Sequence, residues 1–467
     1  MGSNIKPIFL PKCPQMYLGY PHATIASGFC FISGMVPLRE DGAILTHSNE
    51  LVMDKPPAEP SSVNTDVLSE PVRSQSWWGY SSIEAILHSL DGDLRDVLRT
   101  HQYQKDKRYY SIHENVRKIK TGKTPPPSSG IGVIDTSPDG QAWITIDGIA
   151  IDPKNWKFNS RRKIIRNPSI IKSTSHYSRA VSAGPYIFTS GHIPIDTTKP
   201  DNPLVRGFED VPEEGRFLQV GTSHSDTVNG PIAAQTWFVY NTIKNMLEDS
   251  KSSLDDVVSI TVYLQDMNDY VTFHQVHTSF FSNCSPALSV TQFDKVGHKG
   301  TLIEIELTAM QNEGGLVRND ITKVENLTPD AGHTSLATAA GPLIFLSLLT
   351  GHDGSGHTVS EVTQLPKKIR PMAEALIRTN GKKGATIQLL QIFEKLGKIL
   401  RAAGSSLRSV AKIILYITDF DDFTAFHSVC NHYIPGPKPA LSCIKIPAVS
   451  PIPGSTVSIE VIAVNEK

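Results

Sequence analysis

Apolar and polar residues alternate in the segment 176–194. A Gly-Pro pair follows the first alternating residues, then a short apolar stretch, and then a Ser-Gly pair. This pattern predicts a β-hairpin. The pattern recurs at 20–37 and at 334–351, with each residue 157 positions from its counterpart. The same aromatic residue stands at the same place in each copy: Phe31, Phe188 and Phe345. A repeat of this length predicts three tandem copies of one structural unit.

The pattern after the hairpin is clearest in the second copy. Apolar residues recur at helical spacing over 235–250 and alternate over 257–264, as in a half-buried strand. In segment 301–310, alternating isoleucine and leucine residues share one face, whereas Glu304 and Glu306 share the other. The order predicted for each copy is hairpin, strand, helix, strand, helix, strand and strand.

The repeat divides the chain into three domains, 1–153, 154–314 and 315–467. Each domain is long enough to bury its own core. The connection between the hairpin and the first helix is about 40 residues long in every copy, and loops of this length commonly cover a site or a subunit contact.

Composition excludes several classes of protein. The formal net charge of the 467 residues is −1, whereas nucleic-acid-binding proteins usually carry a basic excess. No apolar run approaches the ~20 residues that span a bilayer. The five cysteines follow no disulfide pattern, and the first residues do not resemble a secretory signal. We therefore expect a cytoplasmic protein with reduced thiols that binds neither nucleic acid nor a membrane.

Several segments of the three copies agree, in order, with segments of one known family. In the second copy they are YSRAV, GPYIFTSGHIP, SLDDVVSITVYLQDMNDY, SPALSV and LIEIELTA. In the third copy they are AAGSSLRSVAKIILYITDFDDF, KPALSC and SIEVIAV, and in the first, more loosely, the hairpin, DLRDVLRT and WITIDGIAI. Through these segments the chain resembles the RidA (YjgF) family of enamine/imine deaminases.

The resemblance implies a fold. RidA proteins are similar to chorismate mutase: they are α+β units that form homotrimers around a central β-barrel, with ligand clefts between subunits. We therefore expect three chorismate-mutase-like α+β domains that close into one intramolecular pseudo-trimer. Covalent tethering supplies each unit with neighbours at high effective concentration. The sequence leaves open whether whole chains associate further.

The arginine that grips the substrate carboxylate in the RidA family is missing from all three copies. Its position holds Ser128 in the first copy, Leu288 in the second and Leu441 in the third. Neither serine nor leucine can replace the planar, permanently charged guanidinium group. The substitutions predict apolar pockets and a ligand that is larger and less charged than an amino-acid imine.

The other site residues of the family are kept unevenly. The second copy has its tyrosine and glutamate as Tyr177 and Glu304, and the first copy keeps the tyrosine alone, as Tyr20. Each copy carries a histidine on its second predicted helix, where the family has another polar residue: His113, His274 and His427.

A carboxylate, a phenol and an imidazole can form an acid–base set. The catalytic residues predicted on this basis are Tyr177, Glu304 and His274, with Glu304 or His274 as base and Tyr177 as donor to a developing oxyanion. The residues predicted to line ligand sites are Ser190, Gly191, Leu288, Tyr20, His113, His427, Leu441 and Cys443. Alternatives remain open, since the histidines could brace the helices, Tyr177 and Glu304 could be inherited without activity, and Cys443 could be an inert buried thiol.

The function favoured by the sequence is cofactor-free acid–base chemistry on an apolar carbonyl or imine, by hydrolysis, tautomerisation or cyclisation, in secondary metabolism. The alternative is a non-catalytic small-molecule-binding or scaffold protein with degenerate RidA sites, which the loss of every arginine supports. RNA cleavage is a third option that the neutral charge balance disfavours. No Cys/His spacing suggests zinc and no Gly-rich loop suggests phosphate binding, so neither a metal nor a cofactor is expected.

Overall fold

The structure, a computed structural model, describes residues 5–11, 13–14, 17, 19–52, 54–57, 69–166, 172–311, 315–325, 327, 329 and 334–465. Within these ranges the chain forms three units, each with one mixed sheet and two or three α-helices. The α+β class predicted from the sequence is confirmed. No helix in these ranges is both long and apolar enough to cross a membrane.

The first unit has six strands and two helices. The strands are Lys6–Ile8 (β1), Ala23–Ala26 (β2), Phe29–Met35 (β3), Val97–Gln104 (β4), Ser128–Gly132 (β5) and Ile144–Ile151 (β6); the helices are Ser69–His88 (α1) and Tyr110–Thr121 (α2). The strand order is β1-β2-β3-β6-β4-β5. Only the β4–β5 pair is parallel, and α2 is the crossover that this pairing requires.

The second unit repeats this arrangement. Its strands are Lys163–Ile164 (β7), Ala180–Ala183 (β8), Tyr186–Thr189 (β9), Val257–Leu264 (β10), Ala287–Gln292 (β11) and Ile303–Met310 (β12); its helices are Ser223–Asp249 (α3) and Tyr270–Phe280 (α4). Helix α3 begins well before the predicted start at 235. Pro231 lies inside this helix, and an internal proline makes the preceding turns unreadable as helix from sequence.

The third unit is the most elaborate. Its strands are Arg318–Ile321 (β13), Ala337–Ala340 (β14), Leu343–Leu346 (β15), Leu349–Thr350 (β16), Val410–Ile417 (β17), Ala440–Lys445 (β18) and Val457–Val464 (β19); its helices are Arg370–Asn380 (α5), Lys383–Ala402 (α6) and Phe423–Tyr433 (α7). The long connection after the hairpin thus contains a helix, α5, that was not predicted.

The predicted order of elements needs one correction. A strand between the hairpin and the first helix is present among the described residues only in the third unit, as β16, which pairs with β19. Every unit has instead a strand before the hairpin, and this strand pairs with the first hairpin strand: β1 with β2, β7 with β8 and β13 with β14.

Both faces of each sheet are buried. One face packs on the helices of its own unit, as where Val239 and Ile243 of α3 meet Ile260 and Val262 of β10. The other face contributes to apolar clusters that draw on all three units. One shared cluster contains Phe31, Phe188 and Phe345, and another contains Tyr103, Tyr263 and Tyr416. Burial of these faces against one another supplies a large part of the apolar area removed from water.

Buried charged groups also join the units. His101 of β4 lies between two carboxylates, with Nδ1 2.6 Å from Oδ1 of Asp147 in its own unit and Nε2 2.9 Å from Oε1 of Glu306 in the second unit. Lys412 Nζ of the third unit is 3.0 Å from Asp147 Oδ2, and Arg99 Nε of the first is 3.4 Å from Glu306 Oε1. We call these five residues the buried charge network. All are at most 5% exposed.

Pairing outweighs burial for the charges in this network. Burial disfavours a positive ring, but Glu306 and Asp147 raise the pKa of His101 to about 9. Burial would raise the pKa of Glu306, but Arg99 and His101 lower it to about 2. His101 is therefore a cation at neutral pH and binds the first unit to the second. A buried pair of this kind is strongly destabilised when one partner is removed.

The raised pKa of His101 predicts a pH-dependent stability. Because the folded-state pKa of about 9 exceeds the unfolded value, the contribution of His101 is complete below about pH 6.5 and disappears as the pH rises to about 9, on the order of 3 kcal/mol. We expect urea unfolding, followed by tryptophan fluorescence, to show this loss in the wild type and not in His101→Gln. His224→Gln, at an exposed position, is the control. Parallel pH profiles for wild type and His101→Gln would contradict the role of His101.

Candidate active site

A cleft of about 330 Å³ lies between the first and second units. We call it the first–second cleft. Its walls include Lys107, Tyr110 and Ser128 from the first unit and Tyr177, Gly191 and Glu304 from the second. One cleft is thus lined by Tyr177 and Glu304, which were predicted to be catalytic, and by Gly191, which was predicted to bind ligand. The roles of these residues stay predictions.

Strand pairing places Gly191 against Glu304. Gly191 follows β9, and its neighbour His192 donates its backbone N–H to the carbonyl of Ile305 in β12, at 2.7 Å. A Cβ atom on residue 191 would lie 1.8 Å from Oε1 of Glu304. Only glycine therefore leaves the Glu304 carboxyl group where it is.

The Glu304 carboxyl group is poised for proton transfer. Its side chain is buried, and burial raises its pKa to about 7, whereas the nearby Lys107 amine lowers it and Glu306 raises it further. A group with a pKa near the working pH can both accept and donate a proton.

An arginine of the first unit lies directly behind the cleft wall. Arg117 of α2 is fully buried and donates to Ser128 Oγ at 2.9 Å, to Tyr110 OH at 2.7 Å and to Ser175 Oγ at 3.0 Å. Its guanidinium carbon is 5.9 Å from the centre of the Tyr177 ring. Ser128 occupies the position of the family's lost arginine. Arg117 therefore places a guanidinium group behind this part of the cleft wall, from a different element, α2.

Lys107 brings a second cation to the same cleft. Its ammonium group donates to the carbonyl of Gly130 and lies 5.0 Å from the centre of the Tyr110 ring. Burial lowers the pKa of Lys107 to about 8; Glu304 opposes this shift and Arg117 adds to it. Among the described residues no carboxylate forms an ion pair with either Lys107 or Arg117.

Ser190, predicted to bind ligand, differs from its counterparts Ser33 and Ser347. The Ser33 hydroxyl accepts from the backbone N–H of Leu441 at 3.0 Å, and that of Ser347 accepts from Leu288 at 2.9 Å. Ser190 Oγ is buried and has no hydrogen-bond partner within the described part of the chain. Ser190 itself does not line the first–second cleft, but it directly precedes Gly191, which does.

The two equivalent clefts are smaller. The second–third cleft, of about 80 Å³, is lined by residues that include Leu288 and Leu336. The third–first cleft, of about 30 Å³, is lined by residues that include Leu441 and Tyr20. Leucine stands at the position of the lost arginine in both of these clefts, and the second–third cleft also has charged lining residues, Asp353 and Lys395. In the first–second cleft Ser128 stands at that position and the lining includes Lys107. The apolar character expected of the pockets stays a prediction.

The three helix histidines occupy three different surroundings. The His274 ring lies 5.7 Å from that of Tyr270, which lines the second–third cleft, so the structure does not bring His274 among the residues around Tyr177 and Glu304. The His427 ring lies 6.0 Å from the ring of Tyr20. His113 is fully buried, and burial holds its pKa well below the usual value.

Two other predictions concern thiols and metals. The five cysteines are all free. Cys443 is buried in β18, and burial raises the pKa of its thiol, although Tyr17 works in the opposite direction. In the ranges that the structure describes, no three His, Cys, Asp or Glu side chains are grouped so that they could hold a metal ion.

Sequence reasoning missed Lys107 and Arg117 because it examined only the positions used by the family. A signal was present for Arg117, which follows His113 by one helical turn and therefore shares its face. The other copies have His277 and Cys430 at this position.

The close approach of Gly191 and Glu304 generates a prediction. In Gly191→Ala the new methyl group must displace the Glu304 carboxyl group, because it would lie 1.8 Å from Oε1. Since the displaced group ends a flexible side chain, we expect a loss of stability below about 2 kcal/mol but a large loss of any activity that depends on Glu304. Gly436→Ala, where a Cβ meets nothing within 4 Å, is the control. Unchanged activity of Gly191→Ala would contradict a role of Glu304 in the site.

The chain is similar to proteins of one family. The sequence model of the Endoribonuclease L-PSP family matches residues 218–311 and 374–465, in the second and third units. A RutC family protein of Pyrococcus abyssi is 32% identical over 148 residues, which cover 32% of this chain and 96% of that protein. A RutC family protein of Pyrococcus horikoshii is also 32% identical over 148 residues, with 97% of it covered.

Solved structures also match single units. RidA from an Antarctic Psychrobacter is 25% identical, covers 32% of this chain and 98% of its own, and has a TM-score of 0.25. Because the Pyrococcus abyssi protein is 32% identical and is matched over nearly its whole length, the chain belongs to the Endoribonuclease L-PSP family, that of the RutC and RidA (YjgF) proteins.

Proposed function

We propose that the first–second cleft hydrolyses the C=N bond of a small imine, or of the enamine in equilibrium with it, that also carries an anionic group. The observation that carries this proposal is the buried Glu304 carboxyl group, with a pKa raised to about 7 by its burial, in a cleft that also presents Tyr177. Membership of a family that includes RidA supports the reaction class. No metal or organic cofactor enters the scheme.

Glu304 has two tasks in this reaction. As a carboxylate it takes a proton from water, which adds to the imine carbon and gives a carbinolamine. As a carboxylic acid it gives this proton to the nitrogen, which completes the carbinolamine. Glu304 then carries the hydroxyl proton to the same nitrogen, which leaves as ammonia while the C=O bond forms. Tyr177 donates to the oxygen that gains charge, and Ser190, whose hydroxyl has no partner among the described residues, supplies a second polar contact. General acid–base catalysis of this kind contributes about 10²–10⁴-fold.

The anionic group of the substrate is recognised by the cations of the cleft. Arg117 is buried with only hydroxyl and amide partners, namely Ser128, Tyr110, Ser175 and Gln102. A buried cation without a counter-charge is costly, and an anion in the cleft compensates it. A small anionic substrate replaces the apolar one expected from the sequence.

The chain as a whole would be a pseudo-trimer around a central barrel. Support comes from backbone hydrogen bonds that link every pair of units: Gly132 N–H to Lys295 O at 2.7 Å, Gln292 N–H to Ala448 O at 2.9 Å and Ile134 N–H to Lys445 O at 3.0 Å. The shared apolar clusters draw on the same three units, and the buried charge network joins the first unit to each of the other two. Such an arrangement accounts for three clefts, each at a junction of two units.

Glu304→Gln tests the proposed base. We expect kcat to fall about 10²–10⁴-fold when 2-iminopropionate, generated in situ from alanine by an amino acid oxidase, is the substrate and ammonia release is measured. The wild-type rate should fall as the pH drops through about 7, the pKa of Glu304, because the carboxylate activates water; the variant should lack this limb. Glu248→Gln, on the exposed face of α3, is the control. Full activity of Glu304→Gln would disprove the assignment.

Arg117 should increase the affinity for the substrate in two ways: its hydrogen bonds position the cleft residues Ser128 and Tyr110, and its positive charge attracts an anion. Loss of a charge-assisted contact costs about 1.5–3 kcal/mol, so we expect Arg117→Met to raise KM for an anionic imine about 10–100-fold and to change kcat little. An uncharged imine of similar size should show no such increase, and Arg117→Lys should recover part of the affinity. Equal effects on charged and uncharged substrates would show that Arg117 serves only the fold.

A further inference from the structure

Lys107 has a setting that neither its sequence neighbours nor the proposed reaction explains. It follows β4 of the first unit, and its ammonium group points along the wall of the first–second cleft toward the carbonyl of Gly130 in β5. The cleft also contains Glu304, whose charge acts on Lys107. An amine and a carboxyl group of this kind are therefore presented to the same small molecule.

The wall of the cleft is shaped to admit this side chain. A Cβ on Gly130 would lie 3.7 Å from Lys107 Nζ, and a Cβ on Gly132 would lie 3.2 Å from Lys107 Cγ. Any larger side chain at 130 would occupy the space next to the amine. The first unit thus combines a lysine with two glycines on the facing strand.

The other two units lack this combination. The positions equivalent to Lys107 and Gly130 hold Met267 with Val290 in the second unit, and Phe420 with Cys443 in the third. The strand position that faces the amine is a glycine only in the first unit, which is also the unit that has the lysine. The lysine at 107 and the glycine at 130 occur together in one cleft, which is also the most spacious of the three. This coincidence favours a function of the lysine in that cleft.

We propose that Lys107 is a nucleophilic amine that forms an imine with small aldehydes or ketones bearing a carboxylate, in the first–second cleft. The amine lone pair forms a C–N bond to the carbonyl carbon, and the carbonyl oxygen takes a proton from Glu304. The resulting carbinolamine loses water as the nitrogen forms the C=N bond; one proton from the nitrogen leaves with the departing hydroxyl group as water, and the other returns to the Glu304 carboxylate. Carbonyl compound and amine give imine and water, with no oxidation or reduction.

The electrostatics of the cleft agree with this chemistry. Lysine becomes a nucleophile when it is removed from water and placed next to another cation, and both burial and Arg117 lower the pKa of Lys107. The charged groups that face the amine are Glu304 and Arg117, with His298 and Lys299 at the cleft rim. The positive charge of Arg117, behind the cleft wall, favours a probe that carries a carboxylate, while Glu304 exchanges the proton. The class of carbonyl compound rests on the proposed function, because it is the product of that reaction.

Reductive trapping tests the proposal on the full-length protein. Glyoxylate is added with sodium cyanoborohydride, which reduces imines, at pH 7, and the modified lysines are mapped by peptide mass spectrometry. We expect Lys107 to be labelled about tenfold faster than the exposed Lys299 of the same cleft, since its lowered pKa gives more free amine. The labelling rate of Lys107 should level off near pH 8.

Variants separate this proposal from the proposed function. Lys107→Arg should remove the fast label, and Lys107→Met, which restores the residue type of the second unit, should do the same if the arginine perturbs folding. Lys299→Arg should leave the label on Lys107. Fast labelling of Lys107 supports the nucleophile even if no variant hydrolyses an imine, in which case the proposed function fails alone. Labelling of Lys107 no faster than of Lys299, in a protein that does hydrolyse imines through Glu304, would overturn the nucleophile alone.

Discussion

A protonated histidine between two buried carboxylates is the interaction on which the arrangement of the units depends. Apolar burial is large at the same junctions, but it is not directional. The contacts of His101 with Asp147 and Glu306, at 2.6 and 2.9 Å, fix which part of one unit faces which part of another. Arg99 and Lys412 complete the charge balance around these carboxylates. The network therefore sets the walls of the first–second cleft, although it lies outside that cleft.

Two glutamates on one face of one strand illustrate how surroundings decide a role. Glu304 and Glu306 are two positions apart in β12 and both are buried. Glu306 is paired with Arg99 and His101, so its pKa is lowered in spite of burial. Glu304 has no such pairing, and burial raises its pKa. The same chemical group is thus a fixed anion at one position and a proton carrier at the next.

The repeat, the hairpins, the long strands and the α+β class could be predicted from the sequence, because alternation and helical spacing are local properties. The partners across the clefts could not. Ser128 and Tyr177 line one cleft, and Leu441 and Tyr20 line another, yet each pair comes from different units. The resemblance indicated where an arginine was lost. It could not indicate that Arg117 approaches the same place from a helix, since this depends on how α2 packs against β5 in the first unit.

Polar residues in a strand posed a similar difficulty. Strand β4 contains Arg99, His101 and Tyr103 on one face, and all eight of its residues are buried. From sequence alone such a face would be assigned to solvent. It is buried because the acids and apolar residues of the other units meet it, which no local pattern of the strand records.

The walls of the first–second cleft come from two units, and this determines which fragments of the chain can form the cleft. A fragment without the third unit would keep both walls of the first–second cleft, yet it would take Lys412 away from Asp147, a residue with no exposed surface. It would also open the shared aromatic clusters to water. The third unit thus supports a pocket that none of its described residues lines, and the first–second cleft therefore depends on the whole chain.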